Sequence, residues 1–167
     1  MFIVSDYRLI IFDADGTLRR CTVEGQPCPN RPGEWELMPN VKEKIQTFER
    51  CLHRVGIASN QAGVALGYLS AEMALRLLDD MMIEIMRGKI SRPSYMIRMC
   101  PHGPDEGCDC RKPQPGMLLE LMEKLQVRAS RTLFVGDMPS DRQAAENAGC
   151  DFMWASDFFS WGMGKGR

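Results

Sequence analysis

The chain of 167 residues is predicted to adopt an α/β fold in which helices flank a central parallel sheet. Short, fully apolar runs of the kind that form buried parallel strands recur along the sequence. Segments with apolar residues at helical spacing lie between these runs, and this alternation is typical of parallel sheets. No internal repeat or linker divides the chain, so we expect one domain over residues 1–167.

Each apolar run ends at polar or turn-forming residues, which sets the expected strand limits. The first run, Leu9-Ile10-Ile11-Phe12, stops at two carboxylates and a glycine turn. Further runs end in the same way, at Ser59-Asn60 and at Gly136-Asp137. The expected strands are 9–12, 55–59, 95–99, 132–135 and 152–154.

Residues that favour the start or the end of a helix lie between these expected strands. Asn40, Ser70 and Ser140 occupy positions where N-cap residues are expected, and Gly149 is expected to end the last helix. The apolar stripe on the second helix is interpreted as ordinary core packing. The expected helices are about 40–53, 70–87, 116–125 and 140–148.

Two segments lack a clear periodicity of apolar residues. Residues 18–39 are rich in Pro, Gly and Cys, which indicates a long functional loop without regular structure. Its Arg19, Arg20 and Arg31 are interpreted as solvated loop charges, with binding of a second substrate phosphate as the alternative. Residues 157–167 form a Gly-rich tail, for which we expect exposed aromatic side chains and assign no function.

Composition excludes several classes of protein. The formal net charge is −1, so nothing in the overall charge favours a nucleic-acid or membrane partner. No apolar stretch approaches the roughly 18 residues that span a bilayer. The N-terminal residues lack the apolar core of a signal peptide. We therefore expect a cytoplasmic protein, and the sequence carries no signal of its oligomeric state.

The first strand leads into Asp13 and Asp15, one residue apart. Side chains two positions apart in extended chain point the same way, here toward the sheet edge where α/β proteins bind ligands. Two carboxylates this close repel each other, and a bound cation or a shared proton would relieve the repulsion. The pair therefore indicates a functional site.

Polar residues from other strand ends complete a candidate phosphoryl-transfer site. A phosphomonoester carries about two negative charges near pH 7. A carboxylate nucleophile can approach it only if Mg²⁺ and a lysine offset the repulsion, and oxygen ligands suit Mg²⁺. The candidates are Asp13 as nucleophile, Asp15 as acid and base, Ser59 and Asn60 as hydrogen-bond donors, Arg111 as a substrate contact, Lys112 as cation, and Asp137 as metal ligand.

Four potential zinc ligands lie within the loop 100–110. Three thiols and one imidazole would fill all four coordination positions of a zinc ion, which is typical of a structural zinc site. The alternatives are unligated cysteines or a disulfide, which is rare in the cytosol. Two further loop cysteines, Cys21 and Cys28, are too few for a second metal site and are expected to be free. The zinc ligands would be Cys100, His102, Cys108 and Cys110.

These motifs in this order resemble the haloacid dehalogenase superfamily phosphatases, over roughly residues 6–155. The matching segments are Asp13-Ala14-Asp15-Gly16-Thr17, Ser59-Asn60-Gln61, Lys112-Pro113, and Gly136-Asp137 with Asp141. The resemblance implies a Rossmann-like three-layer fold and a covalent aspartyl-phosphate intermediate. It also implies that Asp13 attacks phosphorus, and that Asp15 protonates the leaving oxygen and then activates water. The implied magnesium site is Asp13, the Asp15 carbonyl and Asp137, supported by Asp141.

The spacing between these motifs leaves no room for a cap domain. The first gap holds a loop and a helix, and the second holds a helix, a strand and the Cys/His loop. We therefore expect an open site, covered by the 18–39 loop or by a partner. An open site argues against a mutase, which must shield its intermediate from water.

The Cys-x-His, Cys-x-Cys-Arg-Lys-Pro pattern resembles the capless subfamily IIIA, with its heptose bisphosphate and histidinol-phosphate phosphatases. Heptose enzymes usually carry Arg where this chain has Leu66, and Lys where it has Met138, so positive charge near the substrate is lost. The expected activity is Mg²⁺-dependent hydrolysis of a small phosphorylated metabolite, a sugar phosphate or bisphosphate. The alternatives are a histidinol-phosphate phosphatase, a polynucleotide-end phosphatase, and a non-catalytic zinc-stabilised binding module.

Overall fold

The computed structural model describes residues 6–47, 53–87 and 95–162. Seven strands and five α-helices lie in these ranges. The strands are β1 (Leu9–Phe12), β2 (Arg19–Cys21), β3 (Trp35–Leu37), β4 (Arg54–Asn60), β5 (Tyr95–Cys100), β6 (Thr132–Gly136) and β7 (Asp151–Trp154). The helices are α1 (Val41–Gln46), α2 (Ala71–Met86), α3 (Gly116–Lys124), α4 (Pro139–Ala148) and α5 (Ala155–Phe158).

Five of the strands form one parallel sheet in the order β5-β4-β1-β6-β7. The chain moves outward from β1 through β4 to β5 and then returns to the other side of β1. The strand order therefore reverses beside β1, which is where open α/β sheets bind ligands. The prediction of a parallel α/β sheet is confirmed.

The sheet separates two hydrophobic cores, and β1 contributes to both. Ile10 and Phe12 face the core under α1, α2 and α5, whereas Leu9 and Ile11 face the core under α3 and α4. This alternation follows from the two-residue period of a strand. The result is the expected three-layer arrangement, with β1 buried on both faces.

The segment 18–39 contains regular structure, so the expectation of a loop without it is wrong. β2 and β3 form an antiparallel hairpin in which Arg19 pairs with Leu37 and Cys21 with Trp35. Strands of three residues are too short to show a periodic pattern. Within the described residues, neither gap between the first three motifs contains a separate domain: the first holds this hairpin and α1, and the second holds α2 and β5.

Helix limits agree with the sequence at some ends and not at others. The Ser70 hydroxyl accepts a hydrogen bond from the Met73 backbone N–H (3.1 Å), and Gly149 ends α4 at φ 73°. Asn40 is not a side-chain cap, because it adopts φ 63° and its amide donates to the Phe159 carbonyl (3.0 Å). Ser140 is not the cap of α4, because the helix already begins at Pro139, a residue favoured at the first helical position.

Two of the C-terminal aromatic residues are buried and Trp161 is half-buried, so the expectation that they are exposed is wrong. Phe158 and Phe159 are almost fully buried, and their ring centroids lie 5.5 and 6.0 Å from that of Phe12. The Trp161 indole donates to the Pro39 carbonyl (2.8 Å). α5 turns the chain back over the sheet, and the aromatic side chains close one core. Residues 48–52 of the first expected helix and 163–167 of the tail lie outside the described residues.

None of the helices in the described ranges is long and apolar enough to cross a membrane.

Candidate active site

Asp13 lies directly after β1 and is held by backbone and side-chain contacts. Its backbone N–H donates to the Val135 carbonyl (2.9 Å), which continues the pairing of β1 with β6. Its carboxylate Oδ1 lies 2.5 Å from Lys112 Nζ, and Lys112 Nζ also lies 2.7 Å from Asp141 Oδ1. The lysine, almost fully buried, therefore joins residues that are 99 and 29 positions away in the sequence.

Asn60 fixes the backbone of Lys112. The Asn60 amide donates to the Lys112 carbonyl (3.1 Å), and its Oδ1 accepts from the Lys112 N–H (3.0 Å). The amide of Asn60 is thus engaged in holding the lysine. Ser59 is buried beside it, and its hydroxyl accepts a hydrogen bond from Gln61 Nε2 (2.8 Å).

The loop after β6 positions two further carboxylates. Asp141 Oδ2 accepts hydrogen bonds from the backbone N–H groups of Asp137 (3.1 Å) and Met138 (3.0 Å). The Thr17 hydroxyl donates to Asp137 Oδ1 (2.9 Å). Gly16, at φ 93°, lies so close that a Cβ on it would stand 2.3 Å from Asp137 Oδ2. Glycine is therefore required in the turn that brings the first motif against Asp137.

Asp13, Asp137 and Asp141 form a carboxylate cluster whose oxygens lie within 4.8 Å of one another. Burial raises the pKa of Asp13 to about 8, with repulsion from Asp141 adding to the effect and Lys112 opposing it. Burial and the Asp141 charge also raise the pKa of Asp137. Three carboxylates that face one ammonium group carry excess negative charge, which a divalent cation would offset.

Asp15 is held in a different environment from Asp13. Its Oδ1 accepts from Arg19 Nε (2.7 Å), and its Oδ2 accepts from Arg19 Nη2 (3.4 Å) and from Gln61 Nε2 (2.8 Å). Arg19 is fully buried, and its Nη1 donates to the Leu77 carbonyl of α2 (2.8 Å). The interpretation of Arg19 as a solvated loop charge is wrong, and its guanidinium is already paired.

Sequence reasoning assigned no role to Gln61, Thr17 or the Arg19–Asp15 pair. Gln61 could have been found from its position two residues after Ser59, which places both on one face of extended chain. Arg19 lies four residues after Asp15 across a tight turn, in which the Leu18 and Arg19 N–H groups both donate to the Ala14 carbonyl. Nothing in the sequence alone indicates that this arginine turns inward.

Asp13, Asp15, Ser59, Lys112 and Asp141 line the floor of a pocket of about 760 Å³. Its walls come from the tip of the β2–β3 hairpin (residues 24–28), from the segment after β4, from the start of α4 and from Arg111. The hairpin thus stands over the site, as the sequence led us to expect of the 18–39 segment. Cys28 lines the pocket as a free thiol, and burial raises its pKa to about 12, with the nearby Asp15 charge adding to the shift.

The other arginines considered as substrate contacts lie in two places: Arg111 lines the pocket, and Arg20 and Arg31 lie on the surface. Arg111 lines the pocket, and its Nη1 donates to the His102 carbonyl (3.0 Å). Arg20 is exposed and forms an ion pair with Glu36 across the hairpin. Arg31 is exposed and is absent from the pocket walls. Among the three hairpin arginines, the solvated interpretation therefore fits Arg20 and Arg31.

The loop after β5 brings together the four residues proposed as zinc ligands. Cys100 Sγ lies 3.1 Å from Cys110 Sγ and 3.6 Å from Cys108 Sγ, and His102 Nδ1 lies 3.3 Å from Cys110 Sγ. Tetrahedral Zn–S bonds of about 2.3 Å place sulfur atoms about 3.8 Å apart. The cluster could therefore hold a zinc ion, with the Arg111–His102 bond linking it to the pocket.

Comparisons with known proteins agree with this geometry. The polynucleotide kinase 3 phosphatase family matches residues 8–161. The D-glycero-beta-D-manno-heptose-1,7-bisphosphate 7-phosphatase of Pseudomonas putida is 34% identical over 140 residues, which are 83% of this chain and 76% of that protein. The enzyme of the same name from Pseudomonas aeruginosa is 35% identical over 144 residues, 85% of this chain and 77% of that protein.

Comparison with solved structures also finds a heptose bisphosphate phosphatase. The D,D-heptose 1,7-bisphosphate phosphatase from B. bronchiseptica, crystallised with magnesium and phosphate, superposes with a TM-score of 0.75 at 32% identity. The match covers 87% of this chain and 78% of that one. By both sequence and fold, the chain therefore belongs to the polynucleotide kinase 3 phosphatase family of the haloacid dehalogenase superfamily, together with the heptose bisphosphate phosphatases.

Proposed function

We propose that this protein is a Mg²⁺-dependent phosphomonoester hydrolase that forms an aspartyl-phosphate on Asp13. The observation that carries the proposal is the convergence of Asp13, Asp15, Lys112 and Asp137 from two strand ends and a loop. Asp13, Asp15 and Lys112 line one pocket, and Asp137 joins Asp13 in the carboxylate cluster. The substrate is a small phosphorylated metabolite, with a sugar phosphate or bisphosphate as the first candidate. The names of the relatives at 34–35% identity support this substrate class.

The carboxylate cluster fits magnesium. Asp13, the Asp15 carbonyl and Asp137 would hold the ion, and Asp141 would support Asp137 through its backbone hydrogen bond. The fit rests on three converging carboxylates with one lysine among them, a charge excess that favours a divalent cation. When bound, the ion offsets the negative charge of phosphate and of the attacking carboxylate.

The protein residues then supply two chemical steps. In the first, an Asp13 carboxylate oxygen bonds to phosphorus, the bond from phosphorus to the ester oxygen breaks, and Asp15 gives its proton to that oxygen. In the second, Asp15 takes a proton from water as the water oxygen bonds to phosphorus. The Asp13–phosphorus bond then breaks and inorganic phosphate leaves. Arg19 and Gln61 hold the Asp15 carboxylate in place for both transfers.

Cations and hydroxyls on the pocket floor orient the phosphate. The Lys112 ammonium lies beside Asp13 and supplies positive charge where the phosphoryl oxygens arrive. The Ser59 hydroxyl and the Arg111 guanidinium line the same pocket and contact the substrate in this proposal. The four Cys/His side chains would hold a structural zinc ion that fixes the loop leading into Arg111 and Lys112. The free thiols fit a cytoplasmic location, which we propose.

A polynucleotide end is the second candidate substrate, favoured by the name of the matching family. The charge of the chain opposes it, because the net charge is −1 and only Arg111 and Lys112 are cationic among the described pocket-lining residues. Hydrolysis of terminal phosphates on oligonucleotides, with a rate that falls steeply as salt rises, would favour this candidate over a small metabolite.

The catalytic proposal is tested with p-nitrophenyl phosphate and Mg²⁺. Asp13→Asn keeps the shape of the side chain but removes the nucleophile, and we expect the rate to fall about a thousandfold or more. Asp105→Asn in the exposed part of the Cys/His loop is the matched control and should retain wild-type activity. Mass spectrometry of the acid-quenched wild-type reaction should find the phosphoryl group on the peptide containing Asp13. Equal activity of Asp13→Asn and wild type would overturn the mechanism.

A further inference from the structure

Large apolar side chains surround the mouth of the active-site pocket. Leu66, Tyr68 and Met138 are 63%, 65% and 54% exposed, and all three line the pocket. Within the described ranges, seven large apolar side chains are 40% or more exposed, and the three most exposed of them all line this one pocket. Exposed apolar groups gathered around a concave site indicate a ligand that covers them.

The backbone holds these side chains in place on two opposite walls. Leu66 N–H donates to the Ala62 carbonyl (3.0 Å), and Tyr68 N–H donates to the Gly63 carbonyl (2.9 Å), which closes the turn after β4. Met138 lies at the start of α4, where its N–H donates to Asp141 (3.0 Å). The apolar groups are thus presented by hydrogen-bonded segments that also carry site residues.

The same walls offer little positive charge to a substrate. Of the two cations that line the pocket in the described part of the chain, Lys112 is held between Asp13 and Asp141. Arg111 Nη1 donates a hydrogen bond to the His102 carbonyl, and Glu24 adds a negative charge on the hairpin wall. Gln26, Asn30 and Ser140 line the walls as neutral polar groups, so the described pocket-lining residues offer a second phosphate no cation besides Arg111 and Lys112, and desolvation of its charge would disfavour binding.

We propose that Leu66, Tyr68 and Met138 select a phosphomonoester whose alcohol has an apolar or aromatic body and carries no second phosphate. This inference rests on the proposed phosphatase activity, and within the class of small phosphorylated metabolites it favours an apolar alcohol over the sugar phosphate or bisphosphate named above as first candidate. It separates the chain from the relatives whose names specify a 1,7-bisphosphate. The apolar body lies between the turn after β4 and the start of α4, and the phosphate reaches Asp13.

The test compares esters of primary alcohols, so that the leaving groups differ little in chemistry. The substrates are 2-phenylethyl phosphate, hexyl phosphate, hexane-1,6-diol bisphosphate and glucose 6-phosphate, each with Mg²⁺. We expect kcat/KM for 2-phenylethyl and hexyl phosphate to exceed that for the bisphosphate and the sugar phosphate by about tenfold or more, because apolar burial favours them. A bisphosphate or sugar phosphate hydrolysed as well as the apolar esters would overturn the inference.

Variants of the pocket wall add a second test. Tyr68→Ala and Leu66→Ala should each lower kcat/KM for 2-phenylethyl phosphate severalfold and leave glucose 6-phosphate nearly unchanged. Leu66→Arg should raise kcat/KM for the bisphosphate and lower it for hexyl phosphate. Leu119→Ala removes an equally apolar side chain, 47% exposed on α3 and away from the pocket, and should behave as wild type.

The two proposals fail in different ways. Activity on p-nitrophenyl phosphate that depends on Asp13, combined with no preference for apolar esters, would overturn this inference and leave the phosphatase proposal standing. Equal effects of Leu66→Ala and Leu119→Ala on every substrate would also overturn it. Absence of hydrolysis of every ester would overturn the phosphatase proposal, and this inference with it.

Discussion

The guanidinium of Arg19 meets the carboxylate of Asp15 inside the protein, with Nε 2.7 Å from Oδ1. Arg19 is fully buried, and the Asp15 side chain is only 11% exposed. The arginine also donates to the Leu77 carbonyl, so α2 is tied to the first motif through this side chain. A charged group that fixes the proposed acid and base is thus shared between the site and the core.

We expect Arg19→Met to destabilise the protein and to slow catalysis. Loss of one member of a buried ion pair leaves an uncompensated charge, at a cost of about 3–5 kcal/mol in the free energy of unfolding. Arg20→Met is the matched control, because Arg20 is exposed and its ion pair with Glu36 contributes less than about 1 kcal/mol. Urea unfolding measures both values, and similar values for the two variants would contradict the assigned role.

The effect on catalysis can be separated from the effect on folding. If Arg19 acts through Asp15, then Arg19→Met should lower kcat in the wild-type background and change it little in an Asp15→Asn background. Rates are measured at a temperature at which all four proteins are folded. A loss of the same size in both backgrounds would show that Arg19 acts only through the fold.

We expect Gly16→Ala to reduce activity far more than Gly149→Ala. Both glycines have positive φ, so both substitutions carry a backbone cost of roughly 1–2 kcal/mol. A Cβ on Gly16 would also stand 2.3 Å from Asp137 Oδ2, whereas a Cβ on Gly149 meets nothing within 4 Å. Displacement of Asp137 by about 1 Å should lower kcat/KM about a hundredfold. Comparable kcat/KM values for the two variants would contradict the role of this close approach.

The purified protein should contain about one zinc ion per chain, measured by elemental analysis. Cys108→Ser should reduce the content below about half an equivalent, lower the thermal midpoint, and lower kcat/KM because Arg111 and Lys112 follow the loop. Cys21→Ser, a free thiol on the hairpin and outside the cluster, is the control. A wild-type protein without zinc, but with full activity, would rule out the structural ion.

Tyr7 gives a prediction for alkaline pH. Its hydroxyl donates to Asp151 (2.8 Å), and burial together with this bond raises its pKa above the usual value of about 10. The stability that Tyr7 contributes is complete below pH 10 and is lost as pH rises toward the folded pKa. Tyr7→Phe should therefore cost about 1 kcal/mol at pH 8, and the difference from wild type should shrink as pH rises above about 10. A difference that does not change with pH would contradict this.

The predictions from the sequence were accurate for features that depend on residues close together in the chain. The apolar run 9–12 favours a buried strand, and the turn after it places Asp13 and Asp15 at the sheet edge. The Cys/His spacing brings four potential zinc ligands together because the loop between them is short. These features depend on contacts over a few residues, which a single sequence contains.

Expectations failed where distant parts of the chain meet. Arg19 has the sequence context of a surface loop, yet α2 covers it and Asp15 pairs with it. Phe158 and Phe159 stand in a polar, Gly-rich tail, but α5 returns them to Phe12. Asn40 has the residue type of a helix cap, but its amide binds the Phe159 carbonyl instead.

The sequence by itself determined the parallel α/β fold, the order of the motifs and the candidate chemistry of Asp13, Asp15, Lys112 and Asp137. Hydrophobic periodicity and motif spacing are local properties, so they can be read without coordinates. Only the tertiary structure decided which partner holds each carboxylate, that the hairpin stands over the site, and that Leu66, Tyr68 and Met138 meet at its mouth. Those relationships join residues far apart in the chain, and packing of the sheet against its helices brings them together.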